Sequence, residues 1–307
     1  MFDSVDGENA AEIIFSRMNK TTIWLATISA FLAGILIAFA GSTSGARISG
    51  VSIYVLIVVG TFALQWLSFL PSWIQRTEKF FDLMGSVGFL LAAWVAITLS
   101  GTFEVRAVIV AGCVTVWAAR LGLFLTNRII KSGSDRRFDK IKQNFSLFFM
   151  TWTLQALWIT VTSSAALVVL TSLESSFPID AWLLVGVSLW LTGFTIEATA
   201  DWQKSRFNQQ PKNEHKFISS GLWAWSQHPN YFGEIILWIG IAVIAFPSMR
   251  GWQFITLVSP LFVWLLLTRI SGIRMLDEGA NKRWGNNPDY KQYVHRTPKL
   301  IPWPPRL

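Results

Sequence analysis

Along this chain, apolar residues run in long unbroken blocks separated by short polar segments, with neither the alternation of strands nor the one-sided stripe of surface helices. A bilayer crossing needs about 20 apolar residues. Eight blocks qualify: Thr22–Ala40, Val51–Leu70, Phe80–Ser100, Val105–Thr126, Phe145–Leu170, Ala181–Ala200, Phe232–Phe246 and Trp252–Ile270. The seventh is the shortest and reads as a tilted or partial span. The pattern predicts an all-α, polytopic transmembrane bundle of about seven to eight spans with a cytoplasmic C-terminal tail. The chain reads as one integral membrane domain, residues 1–307. The polar first 21 residues carry no cleavable signal, so the first block stays as a span.

Basic residues fix the orientation. With the N-terminus inside, the outer loops hold only Arg47, Arg106 and Arg250, Arg120 falls within a span, and the remaining 22 of 26 Lys and Arg lie inside. Both termini are therefore expected in the cytoplasm, at the inner membrane if the source is bacterial. The long polar stretches Asn127–Asn144, Trp202–Pro229 and the tail from Ser271 share that side. The net charge of +8 thus reads as topology and an anionic ligand, not as nucleic-acid binding. Trp66, Trp73, Trp182, Trp202, Trp223, Trp225, Trp238 and Trp252 fall near block ends, and interfacial anchoring explains most of them. Cys113, the single cysteine, can form no intrachain disulfide and reads as a small buried apolar residue. Three scattered histidines make no metal site. Phosphate-loop, dinucleotide-loop, zincin and nucleophile-elbow motifs are absent.

Candidate chemistry sits where polar groups crowd the ends of spans, because such groups are expensive beside hydrocarbon. Glu197, Asp201 and Lys204, followed by Arg206, fall on one helical face. The block Ser226–Glu234, SQHPNYFGE, packs His228, Asn230, Tyr231 and Glu234 together behind Trp223; Pro229 ends the preceding segment, and a helix starting near Asn230 offers free amides to an anion. Asn230 reads equally as a helix cap. Arg274, Glu278 and Lys282 recur every four residues, and Tyr290, Tyr293 and Arg296 follow in the tail. Arg suits bidentate phosphate binding. Arg120, three residues after Trp117, requires a carboxylate or a polar cavity. Glu78 and Asp82 flank the third span, and Asp135–Asp139, DRRFD, reads as either a docking loop or a topogenic run.

The ordered set DWQKSRF, GLWAWSQHPNYFGE, RMLDE and DYKQYVHRTPKLIPW, over roughly the last 110 residues, resembles the membrane-embedded steroid 5-alpha-reductase and sterol-reductase superfamily, in its bacterial steroid-reductase-like branch. The resemblance implies NADPH in a cytoplasm-facing cavity of the C-terminal spans (145–307), with a lipid-like substrate among the N-terminal spans (1–130). It assigns Asp201, Lys204, Arg206, Trp223, His228, Asn230, Tyr231, Glu234, Arg274, Glu278, Lys282, Tyr290, Tyr293 and Arg296 to the cofactor, and Trp117, Arg120, Glu78 and Asp82 to the substrate side. Tyr231, Glu197 and Glu78 are the candidate catalytic donors in reduction of an enone-like carbon–carbon double bond. This chain departs from the pattern at Gln227, where Arg is common, and at Asn208. Two other readings use the same residues: an isoprenylcysteine-type methyltransferase taking S-adenosylmethionine, and a channel or transporter. Substrate identity and oligomeric state are not legible.

Overall fold

The computed structural model describes residues 19–135, 138–173 and 179–304. It is a helical bundle whose only strands, among the described residues, are a two-residue hairpin. Among the described residues, eight helices are long and apolar enough to cross a membrane. We label the elements α1 (Lys20–Gly41), α2 (Ile53–Ile74), α3 (Phe81–Ser100), α4 (Val105–Ser132), α5 (Phe145–Thr162), α6 (Ser164–Leu170), α7 (Ala181–Asn208), α8 (Pro229–Ala245), α9 (Val258–Leu265), α10 (Ile273–Trp284) and α11 (Pro288–Arg296). The hairpin pairs Arg47–Ile48 with Val51–Ser52 through Ser49 and Gly50, both with positive φ, the two-residue turn whose twist matches paired strands.

The long spanning helices are apolar on both their inner and their outer sides. Leu36, Leu123, Leu184 and Leu191 are exposed on the perimeter of the bundle, as a lipid-facing surface requires, while small residues such as Ala93, Ala96 and Ala111 let helices approach inside. The seventh span is of full length: with its terminal 3₁₀ turn it covers Pro229–Ser248, 20 residues. The fifth block is broken at Ser163 into α5 and the seven-residue α6, every residue of which is buried. The last block is irregular, a 3₁₀ run Gly251–Leu257, then α9, then a π-turn at Leu266–Ile270.

Two devices set the register of the C-terminal half. Helices α7 and α8 cross closely in antiparallel sense, with Gly193 against Gly233 and Gly186 against Gly240; a Cβ at Gly233 would collide with the backbone of Glu197. At the other end, Arg106 is 1% exposed, pairs with Asp180 at 2.9 Å and donates to the Ile244 carbonyl at 2.7 Å. Asp180 also caps α7 by accepting from Leu183 N. One guanidinium thus joins the start of α4, the start of α7 and the end of α8.

The tryptophan reading needs correction. Trp182, Trp202, Trp225 and Trp252 are exposed, as anchors should be. Trp223 and Trp238 are buried, and Trp66 is part-buried and donates to Thr153 Oγ1 at 3.1 Å. Block-end position alone does not separate an interfacial ring from a core ring.

Candidate active site

Three helices meet at one polar cluster. Arg120 on α4 donates to Glu197 and, at 2.9 Å, to Asp201, both on α7. Asp201 also accepts from Asn230 Nδ2 on α8 at 3.1 Å. Glu234, one turn beyond Asn230, interacts electrostatically with Asp201 and Arg120. The Arg120 side chain is 19% exposed and Glu197 only 4%, so the charges are largely desolvated and hold each other in place. The Gly193–Gly233 contact makes the cluster possible, because it brings the Glu197 turn of α7 against the Glu234 turn of α8.

On the apolar side of the cluster lies an aromatic wall. Trp117 meets Trp238 edge to face at 5.0 Å and Phe89 at 5.0 Å, and Phe89 meets Trp158 at 4.8 Å. The Trp117 indole lies within hydrogen-bonding reach of the Glu197 carboxylate, and among the described residues the Trp238 N–H has no hydrogen-bond partner. An unpaired buried donor or acceptor costs about 1–3 kcal/mol. A buried donor left so marks a place where a ligand can supply what the protein does not.

On the polar side, Lys204 lies one turn beyond Asp201. Its ammonium stands 4.7 Å over the Trp223 ring, a cation–π contact, and makes no hydrogen bond or ion pair with the described residues. Trp223 is fixed by donating to the Ala200 carbonyl at 3.1 Å and by Tyr293, whose hydroxyl donates to the Trp223 carbonyl at 2.8 Å. Burial pushes the Tyr293 phenol above its ordinary pKa, so it stays a neutral donor. Helix α8 begins at Pro229 with no side-chain cap on its free amides. Asn230 is spent on Asp201, so the capping alternative does not hold.

His228, just ahead of α8, stacks on Tyr231 and bonds Asp277 at 3.2 Å. Burial lowers the imidazole pKa, and the Asp277 carboxylate opposes that shift. Asp277 in turn pairs with Lys299 at 2.6 Å. The tail is clasped to the same loop. Gln227 donates through its side chain to the carbonyls of Thr297 (2.6 Å) and Val294 (3.1 Å) and through its backbone to Pro298 (2.9 Å). Ser226 Oγ donates to Leu300 O at 2.7 Å, and Trp303 N to Trp225 O at 3.0 Å. The position that departs from the common Arg therefore holds the tail.

The structure brings together Trp117, Arg120, Glu197, Asp201, Asn230 and Glu234, with Lys204, Trp223, His228, Tyr231 and Tyr293 beside them. Tyr290 is buried against Phe217 and Trp284 as packing under the tail. Arg206, Lys282 and Arg296 are exposed, with Arg206 against Trp202. Arg274 and Glu278 pair with each other at 3.3 Å, both with exposed side chains. Glu78 and Asp82 belong to a separate network. Glu78 accepts from Asp135 N and Lys142 Nζ, both at 2.9 Å, and Asp82 pairs with Arg128 at 3.3 Å. Both Glu78 oxygens are engaged in holding the 133–144 segment, which makes it a loop anchor in this geometry. Within DRRFD, Arg136 and Arg137 lie outside the described residues. Sequence reading passed over Asp277 and Lys299, and Arg283, which acts electrostatically on Lys204. Asp277 was detectable as the residue one step round the helix from Glu278.

The comparisons place the chain among known proteins. Residues 68–297 match the family model described as "Protein of unknown function (DUF1295)". An 80-residue stretch is 32% identical to 3-oxo-5-alpha-steroid 4-dehydrogenase 1 of Bos taurus, covering 24% of this chain and 31% of that protein. The human protein of the same name is 33% identical over 75 residues, 24% of this chain and 29% of its own. An uncharacterized protein of Schizosaccharomyces pombe is 23% identical over 230 residues, 64% of this chain and 63% of that one. The chain thus spans under a third of the length of the two steroid dehydrogenases. No solved structure matches. With three quarters of its length inside the family model, this integral membrane protein belongs to the DUF1295 family, in the steroid 5-alpha-reductase-like superfamily.

Proposed function

We propose that the protein is a membrane-embedded, NADPH-dependent reductase acting on a carbon–carbon double bond conjugated to a carbonyl in a lipid-like molecule. The observation that carries this reading is the joining of two unmet needs through one network. Lys204 and the uncapped start of α8 offer positive charge to a phosphate. The Trp117–Glu197 contact and the unpaired Trp238 N–H offer polarity beside an aromatic wall. A ligand with an anionic end and a flat amide-bearing end fits that order.

In this reading Lys204 and the α8 amides would hold the phosphates, Trp223 would pack on the nucleotide, and Asp201 with Asn230 would orient its flat end. NADPH supplies the hydride. Arg120 keeps Glu197 and Asp201 in one geometry, and the Trp238 N–H polarises the substrate carbonyl. Three carboxyl groups around one guanidinium let the cluster hold and release the proton that the α-carbon takes up. The wall of Trp117, Trp238, Phe89 and Trp158 excludes water from the reacting end. Tyr231 stands beside His228 as a further donor, and Glu78 retains only its anchoring contacts. The N-terminal spans form the lipid side and the basic loops face the cytoplasm, where NADPH is available.

The test is thermal unfolding of the purified, detergent-solubilised protein with NADPH or S-adenosylmethionine. Ligand at about 100 times its dissociation constant stabilises by about 2.7 kcal/mol. NADPH is expected to raise the midpoint and S-adenosylmethionine to leave it unchanged; the reverse result assigns the pocket to methyl transfer.

A further inference from the structure

A groove of about 710 Å³ runs between α1, α5 and the last apolar block. Helix α1 packs against α5 and against the 3₁₀ run Gly251–Leu257, and the three leave the groove between them. Two features keep it open. Ala33 and Ala40, seven residues apart on one face of α1, put only methyl groups where longer side chains would close the space. The 3₁₀ run winds more tightly than an α-helix and so fills less of the width beside them. Helix α1 lies outside the family-matched residues 68–297, so this wall belongs to the part of the chain that the family match does not cover.

The lining shows where the groove lies. It runs along α1 from Ala33 to Ala40, beside the terminal Gly41, along α5 from Leu157 to Val161, beside the terminal Thr162, and along the last block from Phe262 back to Trp252, beside Gly251. The three walls therefore end at one level, next to the end of the α8 span and a full span from Asn230. Trp252 is exposed there, the place of an interfacial ring. From Ala33 to Ala40 the helix rises about 10 Å. That lies within the roughly 15 Å of hydrocarbon that one leaflet supplies.

These dimensions and the lining name the occupant. Every lining residue is apolar, so the groove holds no polar ligand. Leu36 and Phe39 stand exposed on its rim, which makes it continuous with the lipid-facing perimeter. An empty cleft forfeits the dispersion contacts on which packing in a membrane depends. A helix from a second copy would cross about 30 Å of hydrocarbon, three times the length that the groove serves. A hydrocarbon chain entering from the boundary fits both depth and lining, and leaves its head group in water beside Trp252.

We propose that this groove binds one acyl chain of a bilayer phospholipid, held as part of the fold and apart from the Arg120 cluster. The experiment is native mass spectrometry of the detergent-solubilised protein titrated with 1-palmitoyl-2-oleoyl-phosphatidylethanolamine, with palmitic acid as a separate titrant. It uses neither NADPH nor turnover, so it stands independently of the reductase reading. In the wild type the first phospholipid is expected to bind about tenfold more tightly than the second. That gap should close in Ala33→Phe, which fills the groove from its floor, and in Leu36→Trp, which fills it from the exposed rim and needs no room in the core. It should persist in Leu123→Phe, on the exposed perimeter of α4. The proposal is overturned if the first and second phospholipids bind alike in the wild type, a result that needs no variant to fold. It is also overturned if the gap survives in the groove variants, or is lost as readily in Leu123→Phe. A gap shown by palmitic acid and not by the phospholipid assigns the groove to a free fatty acid, and a dimer lost in the groove variants without any lipid gap assigns it to a second copy; either result overturns the proposal.

Discussion

Arg120 carries the heaviest electrostatic duty of any single residue here. It is the guanidinium shared by Glu197 and Asp201, and removing one partner of a desolvated pair leaves the other charges uncompensated. Arg120→Ala is expected to cost about 3–5 kcal/mol, read as a lowered unfolding midpoint in detergent. Replacing Glu197 and Asp201 with Gln and Asn in the same chain should recover much of that loss without restoring cofactor binding. The titratable residue to watch is His228, whose pKa is lowered by burial despite Asp277. Its unfolded form binds protons that the folded form resists, so stability is retained above the ordinary histidine range and falls as pH drops below about 6.5. A pH series of melting curves should show that acid-side fall in the wild type and a smaller one in His228→Asn. At this scale the sequence was readable wherever a charge stood inside an apolar block. Arg120 demanded a carboxylate and has two, and Glu197 was too deep to be ornamental. Asp277 escaped notice because the four-residue ladder Arg274–Glu278–Lys282 was the more regular pattern, and periodicity does not say which face turns inward.

Among the elements, the antiparallel pair α7–α8 determines whether a site exists. Contact through Gly193 and Gly233 sets the carboxylate of one helix beside the amide of the other. Gly233→Ala drives a methyl group into the backbone of Glu197 and is expected to destabilise by about 1–3 kcal/mol, with loss of NADPH-induced stabilisation. Gly60→Ala, where an added methyl meets nothing within 4 Å on α2, should be neutral or gain up to about 1 kcal/mol from better helix propensity. Parallel melting curves of the two variants separate a packing effect from a generic response to alanine. Helix positions followed from block length, and most boundaries moved by only a few residues. The break at Ser163 and the π-turn after Leu265 escaped the pattern because neighbours stabilise them, not local composition. The glycines were visible, but their pairing depends on register between two helices, which no single segment encodes.

Across the whole molecule, two of the polar networks share no residue among those described. One is the Arg120 cluster. The other ties Glu78, Asp82, Arg128, Asp135 and Lys142 into a clamp on the segment between α4 and α5. Glu78→Gln should therefore lower stability while leaving NADPH affinity within about twofold, measured by melting and by ligand titration on the same preparation. If NADPH affinity fell as far as in Arg120→Ala, the two networks would have to be joined. From sequence, Glu78 and Glu197 looked alike, each a carboxylate at the edge of a span. What told them apart is a partner 64 residues away, Lys142, brought back by a loop whose path the sequence does not specify.

The clasp between Ser226–Gln227 and the segment Thr297–Trp303 has a consequence for biosynthesis. Every apolar helix is made before those residues leave the ribosome, so the bundle can insert while the loop bearing His228 still lacks its mate. The proposed nucleotide end would then be the final part to mature, and a nascent chain arrested before Thr297 would be a lipid-embedded bundle with an unfinished candidate site. A stop codon at position 297 makes such a chain on purpose, and its membrane yield against its nucleotide affinity measures how far assembly and competence are separated in time.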